Sequence, residues 1–332
     1  MTPPADHPAL SSFPVVNGVL SVGGMSLDAL AKRVGKTPFY VYDRAKMTER
    51  VNLLRRHFPS EVKLHYAVKA NPLPDVVTHL AGLVDGADVA SGGELVVAKN
   101  AGFSAEDTSF AGPGKRSEEL AQAVQWGALI NLESAREVDI LSRVADELGR
   151  APRVAVRVNP DFGLKHSGVK MGGGPQPFGV DAEQVPALLT EIGRRGLAFE
   201  GFHIFSGSQN LQSGAIVESQ NLTLELAIRL AASAPRPVRV VNIGGGFGIP
   251  YFPGTVLWTS LPSVKTSIVG WGPCAPPFPK LGSRWSWGDT WWGRRDCLCA
   301  EFSIGRCPAG KRFWWWTAGC TTTSPRPAIL AR

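Results

Sequence analysis

From about residue 38 the chain alternates short apolar runs, rich in β-branched and aromatic residues, with longer stretches whose apolar positions recur every three to four residues. The runs are 38–42, 62–68, 86–90, 108–111, 128–132, 154–158, 199–205 and 238–243, and the helical period occupies 43–57, 73–82, 92–101, 116–126, 134–149, 181–195 and 213–233. Such alternation predicts an α/β fold on a parallel sheet, open or closed. With 38–42 set aside as a lead-in, seven strand–helix units remain, and residues capable of chemistry fall repeatedly at the strand ends. A (β/α)8 barrel carries its active site on that edge. The eighth strand should fall near 275–290, where Pro, Gly and Ser interrupt the run. The pattern therefore predicts a barrel that is incomplete after strand 7.

Composition sharpens this division. The 332 residues carry a net charge of +7, yet residues 1–254 hold 25 Lys+Arg against 25 Asp+Glu, and residues 255–332 hold 10 basic residues against Asp289, Asp296 and Glu301. All five Cys and nine of the ten Trp also lie after residue 254, whereas all six His and all four Tyr lie before it. No apolar run approaches the roughly 20 residues that span a bilayer, and the start lacks a basic stretch followed by an apolar core. A cytoplasmic protein without membrane contact is expected. The basic, Trp-rich tail could in principle bind nucleic acid, but it shows no ordered aromatic-basic module, so no nucleic-acid partner is expected. Its Cys297-x-Cys299, Cys307 and Cys320 lack the paired spacing of a zinc ribbon, so no metal is expected.

Two stretches carry candidate chemistry. Tyr66-Ala-Val-Lys69-Ala-Asn71-Pro72 closes the second run. An amine at a barrel mouth can be partly desolvated, which suits it to form a Schiff base with an aldehyde cofactor; the competing reading is a solvated lysine at a strand end. Asn242-Ile-Gly244-Gly245-Gly246-Phe-Gly248 follows the last run. Its amides could close on a phosphate, at the position where these barrels bind one, or it could be a flexible turn. The spacing is not that of a dinucleotide-binding loop.

A strand-end lysine combined with a phosphate loop after strand 7 describes a barrel for pyridoxal 5′-phosphate. At these stretches the chain resembles the fold-type III pyridoxal-phosphate decarboxylases, the group of the diaminopimelate, ornithine and arginine decarboxylases. Further matching segments are Asp88-Val-Ala-Ser91-Gly-Gly-Glu94, Ala111-Gly-Pro-Gly-Lys115, Asn131-Leu-Glu-Ser, Arg157-Val-Asn-Pro160 and Gly201-Phe-His203 to Gly207-Ser208-Gln209, in the family's order over about residues 36–254. The resemblance implies an alanine-racemase-like barrel in which Lys69 holds the cofactor as an internal aldimine. The cofactor then takes up the electrons left when CO2 departs from an amino acid.

By the same resemblance Gly244, Gly245, Gly246 and Ser208 hold the phosphate, Asp88 lies close to the ring, His203 is a further cofactor-binding residue, and Arg157 lies near the phenolic oxygen. Arg157 has an equally good reading as an ion pair between strands. His166 falls in a glycine-rich stretch, 165–179, where the family places a mobile loop near the substrate; a surface loop without chemistry is the alternative. Phe205 stands where the diaminopimelate enzymes carry the second His of His-x-His-x-Gly-Ser, which stacks on the pyridine ring. A phenyl ring stacks as well but offers no proton and no charge. With Lys-Met-Gly-Gly-Gly and Pro-Phe-Gly, the Phe version looks more like the exosortase-associated members or those acting on carrier-bound amino acids. An amino-acid racemase on the same barrel and a non-catalytic cofactor-binding remnant are the alternatives.

The resemblance further implies a C-terminal β-domain that completes the site across a homodimer, with Glu-x-Gly-Arg supplying the acid for the pyridine nitrogen. Neither is recognisable after Gly254, so turnover by this chain is in question. The genetic code supplies an explanation. Trp has one codon, so Trp314-Trp-Trp-Thr-Ala-Gly-Cys-Thr-Thr-Thr323, read one base out of register, permits Leu-Val-Val-Asp-Gly-Gly-Leu-His-His-His, a strand and turn resembling the family's C-terminal domain. Lys280-Leu-Gly-Ser-Arg284 stands where Glu-Leu-Gly-Arg is expected. A reading-frame change near residues 254–280 accounts for both and for the excess charge. The expected organisation is an N-terminal segment (1–35), a cofactor-binding barrel (36–254) and an aberrant, out-of-frame or disordered tail (255–332).

Overall fold

A computed structural model describes residues 13–58, 62–163, 172–174, 176–208, 210–245 and 248, together with the backbone of 169–170, 282–286, 302–306, 312–316 and 328–331. The chain opens with a small antiparallel meander, Val15–Val16, Val19–Val22 and Met25–Ser26. Asn17 and Gly18 turn its first hairpin, both at positive φ (51° and 76°), the conformation that Asn-Gly adopts in tight hairpins. The helix Leu27–Val34 follows, its N-terminus capped by Ser26 and its C-terminus closed by Gly35 in the left-handed conformation. Leu27 and Leu30 bury against Phe13, Val22, Phe39 and Val41.

The barrel strands are β1 (Val62–Ala67), β2 (Gly86–Val89), β3 (Thr108–Phe110), β4 (Leu129–Leu132), β5 (Arg153–Asn159), β6 (Ala198–Ile204), β7 (Val240–Asn242) and β8 (Gly282–Ser286). Each pairs in parallel with the next, and β8 pairs with β1, so the sheet closes into a ring. The connecting helices are α1 (Pro74–Ala81), α2 (Gly92–Asn100), α3 (Ser117–Trp126), α4 (Ala135–Leu148), α5 (Val185–Arg194) and α6 (Ser213–Ala231). In α4 the buried positions Val138, Ile140, Leu141 and Val144 form the apolar stripe, and Gly149 at φ 60° ends the helix. The core runs continuously between these helices and the strands, from Leu64 and Tyr66 through Phe110, Ile130 and Val156 to Phe202.

Seven strands follow the hydrophobic pattern; the eighth place does not. Gly282–Ser286 occupies it by backbone pairing, Val240↔Gly282 on one side and Ser286↔His65 on the other. Ladder bonds need no apolar alternation, which is why the sequence pattern predicts no strand there. Beyond β8 the described backbone comprises the hairpin Phe302–Arg306 with Arg312–Trp316, and Ala328–Ala331 lying parallel to Tyr40–Asp43. Among the described residues no helix is long and apolar enough to cross a membrane.

Two glycines are fixed by close approach. A side chain on Gly201 of β6 would run into the Val240 carbonyl of β7, and one on Gly86 of β2 would meet the His65 ring at 2.6 Å and the Asp107 carbonyl. The second vacancy lets a histidine ring lie among the strands.

Candidate active site

The period of two along β1 puts Leu64 and Tyr66 on one face and His65 and Ala67 on the other. His65 meets Asp88 of β2, the centre of a buried polar cluster. Asp88 Oδ1 accepts from Ser109 Oγ of β3 at 2.6 Å and from His65 Nδ1 at 3.2 Å, and Oδ2 accepts from Asn242 Nδ2 of β7 at 3.2 Å. Asn131 of β4 donates in turn to Ser109 at 3.2 Å. Burial alone would raise the Asp88 pKa; the His65 hydrogen bond and charge, the His203 charge and the Ser109 bond outweigh it and hold the carboxyl well below the usual range.

His203 of β6 is buried, and among the described residues its Nδ1 has no hydrogen-bond partner. Burial lowers its pKa to about 4, the Arg157 cation adds to the effect, and Asp88 opposes it. The imidazole is therefore neutral near pH 7.

Lys69 lies just beyond β1, on the single 3-10 turn Val68–Ala70. Two bonds hold this turn: the Tyr66 hydroxyl donates to the Asn71 carbonyl at 3.1 Å, and Asn71 Oδ1 accepts from the Leu73 amide at 3.0 Å. The turn lifts Lys69 to the rim, where it is exposed, as in the reading of a solvated lysine at a strand end. Its charge reaches His203 and also Glu94 at the start of α2. Burial raises the Glu94 pKa, against the Ala90 amide bond and the Lys69 charge.

Two strands away around the rim, beyond β7, Gly244 adopts φ 69° and gives its amide to Asn242 Oδ1 at 2.9 Å. A Cβ there would lie 2.5 Å from the Phe205 ring, so Phe205 packs directly on the glycine turn. Ser208 is buried, and Gly207–Ser208 pairs with Val169–Lys170. Gly245 follows Gly244 in the described chain, whereas Gly246 and His166 lie outside the described residues.

Arg157 makes the interstrand ion pair. Its Nη1 lies 2.9 Å from Glu133 Oε1, just beyond β4, and its guanidinium stacks 4.9 Å from the Phe178 ring. Glu133 also accepts the amides of Gly112 and, at 3.2 Å, Gly179. Behind it, Lys115 Nζ contacts Glu137 Oε1 at 2.9 Å, a contact of charges with poor hydrogen-bond angles, and donates to the Gly112 carbonyl at 2.6 Å. Glu137 Oε2 accepts the Glu133 amide at 2.7 Å.

The structure thus brings Lys69, Asp88, Arg157, His203, Phe205, Ser208 and Gly244 to the carboxyl ends of the barrel strands. Sequence reasoning did not single out His65, Glu133 or Asn242. Strand parity was the available signal for His65. The separation of 46 positions between Glu133 and Gly179 offered none.

An amine, a neutral imidazole and a glycine turn on the carboxyl-terminal rim of a closed parallel barrel define a cofactor-binding (β/α)8 protein. Residues 44–257 match the family model described as "Pyridoxal-dependent decarboxylase, pyridoxal binding domain", and the chain belongs to that family. It is 38% identical over 234 residues to L-glutamyl-[BtrI acyl-carrier protein] decarboxylase of Niallia circulans, covering 68% of this chain and 53% of the relative. It is also 38% identical over 240 residues to diaminopimelate decarboxylase of Aquifex aeolicus, covering 71% and 56%. The chain spans about half the length of these curated relatives. Among solved structures, an Aquifex aeolicus protein matches with a TM-score of 0.69 at 31% identity, over 83% of this chain and 63% of that one. Helicobacter pylori diaminopimelate decarboxylase complexed with L-lysine matches with a TM-score of 0.69 at 25% identity, over 87% and 72%.

Proposed function

We propose that this barrel binds pyridoxal 5′-phosphate on Lys69 and serves the decarboxylation of an amino acid. The observation that carries the reading is the position of Lys69, a primary amine exposed on the carboxyl-terminal rim and electrostatically coupled to the buried His203. The residues present fit the group. The amine would hold the aldehyde; the Gly244 turn, free of a Cβ, would hold the phosphate with Gly245, Gly246 and the buried Ser208. Among the described residues the buried Nδ1 of His203 has no hydrogen-bond partner, and a bound polar ring would supply one.

When bound, the cofactor supplies an electron sink for the pair left at the α-carbon as CO2 departs. The chain's own residues set the conditions for that step. His203 presents a neutral ring and so places no second cation beside Lys69. Asp88 is committed to three donors and stays anionic, fixing Asn242 and the turn beyond it. Arg157 is held by Glu133 and Phe178, which fixes its positive charge at the rim beside His203.

The names of the relatives define two substrate classes, free diaminopimelate and a glutamyl group on a carrier protein. Phe205, packed on the glycine turn, supports the carrier-bound class through the resemblance noted above. The segments expected to complete the site, including the partner's contribution in a cytoplasmic homodimer, fall after Gly254, so slow or absent turnover belongs to the same reading. The test is CO2 release from diaminopimelate, lysine and carrier-tethered glutamate, run beside the visible absorbance of cofactor-loaded protein. Absorbance that is lost in Lys69→Ala supports the reading, with or without turnover; α-proton exchange without CO2 release would favour racemisation instead.

A further inference from the structure

One chain of hydrogen bonds crosses the barrel interior and ends on the glycine turn. It starts at His65 on β1 and Ser109 on β3, both bonded to Asp88 Oδ1. It passes from Asp88 Oδ2 to Asn242 Nδ2 at 3.2 Å, and from Asn242 Oδ1 to the Gly244 amide at 2.9 Å. Asn242 and Asp88 are 154 residues apart in sequence, and both are buried. A side chain that makes both bonds at once needs a donor and an acceptor, because Asp88 as an anion offers only acceptors and the Gly244 amide is only a donor. The amide of Asn242 has that polarity.

We propose that Asn242 is a positioning residue: it ties the Asp88 carboxylate to the Gly244 turn, so that the ring side and the phosphate side of the barrel mouth are set by one bond chain. The functional consequence rests on the cofactor reading given above; the structural link does not. Gly244 is held at φ 69° with Phe205 against its Cα, so its amide direction depends on the bond to Asn242. Loss of that bond frees the first amide of the turn, and with it the geometry presented to a phosphate.

The polarity argument supplies a specific test. In Asn242→Asp two acceptors face each other where Asp88 Oδ2 now meets a donor. In Asp88→Asn combined with Asn242→Asp the polarity is exchanged: the amide at position 88 still accepts from His65 and Ser109 and now donates to position 242, whose carboxylate still accepts from Gly244. We expect Asn242→Asp to weaken pyridoxal 5′-phosphate binding at least about tenfold, as for a lost hydrogen bond to a charged group. The exchanged pair also moves the anion from position 88 to the phosphate side, so it is read by Gly244 protection and not by cofactor affinity. Amide hydrogen exchange at Gly244, measured on the cofactor-free chain, should be accelerated in Asn242→Asp, where repulsion from Asp88 turns the carboxylate at 242 away from the Gly244 amide, and restored in the exchanged pair.

Unchanged binding and unchanged Gly244 protection in Asn242→Asp would overturn the proposal, as would an exchanged pair no better protected at Gly244 than that single variant. If Asn242→Asp does not fold but the exchanged pair folds with Gly244 protected, the proposal stands; if neither folds, pairing is not what the two residues contribute and it falls. If the unaltered chain takes up no pyridoxal 5′-phosphate, the cofactor reading fails, and Gly244 exchange in the cofactor-free proteins still decides the role of Asn242.

Discussion

Two buried polar clusters lie at the carboxyl end of the barrel, and they are wired differently. Around Asp88, one anion is served by His65, Ser109 and Asn242, and two ring nitrogens, His65 Nε2 and His203 Nδ1, are left without partners among the described residues. Around Glu133, two carboxylates meet two cations, Arg157 and Lys115, and the loop amides of Gly112 and Gly179. The first cluster is poor in charge and has bonding capacity in reserve. The second is balanced, its charges committed to fastening the ends of β4 and β5 to the loops beside them. Glu137 Oε1 likewise lacks a hydrogen bond among the described residues and is met by the Lys115 charge alone, so what separates the clusters is charge balance: the two ring nitrogens of the first have no charged partner of their own and gain most from a polar ligand.

The largest effect is expected from unbalancing the second cluster. Lys115→Met leaves Glu137 buried without its cation, and chemical denaturation should show a loss of about 3–5 kcal/mol. A loss below about 1 kcal/mol would mean that the pair does not brace the barrel.

Acid should act through the first cluster. The His203 pKa is depressed from 6.5 to about 4, so the unfolded chain binds the proton first. The stability stored in the neutral ring is complete above pH 6.5 and is lost as pH falls toward 4, by about 3 kcal/mol. Asp88, also depressed, loses its contribution only at lower pH, below the ordinary carboxylate range. Thermal midpoints measured from pH 7 to 4 should fall in the unaltered chain and flatten over that window in His203→Gln.

A smaller cost, about 1–3 kcal/mol, is expected for Gly86→Ala, whose methyl would press on the His65 ring and the Asp107 carbonyl. Combined with His65→Ala the cost should be less than additive, because the ring is then gone; strict additivity would separate the two residues. The smallest effect is the control on the surface. Arg229 and Asp161 pair at 3.0 Å with both side chains largely exposed, and Arg229→Ala should change stability by less than about 0.5 kcal/mol.

Most of the barrel was legible because its strands and helices announce themselves by period. The runs 62–68 and 199–205 become Val62–Ala67 and Ala198–Ile204, and the stretch 134–149 becomes Ala135–Leu148. The eighth strand was the faintest, because Pro, Gly and Ser interrupt the run at 275–290, where Gly282–Ser286 pairs with β7 and β1. Lys69 and the glycine turn were visible as residue types at strand ends. The wiring among Asp88, Asn242 and His65 was not, because the partners lie on strands far apart in sequence, and single-sequence patterns carry no information about which strand ends meet. The Arg157–Glu133 ion pair, one of the two readings open in the sequence, is present in the structure. For residues 255–332 the decisive record is the DNA: a one-base shift near codons 254–280 that restores Glu-x-Gly-Arg and Leu-Val-Val-Asp-Gly-Gly is expected, and stop codons across the alternative frame would dismiss it.

The most direct test of the account is covalent. The full chain, incubated with pyridoxal 5′-phosphate, reduced with borohydride and digested, should carry the phosphopyridoxyl mass on the peptide containing Lys69, with no stoichiometric labelling in Lys69→Ala. Labelling spread over surface lysines at the same level in both proteins would contradict the assignment of this barrel rim as a cofactor site.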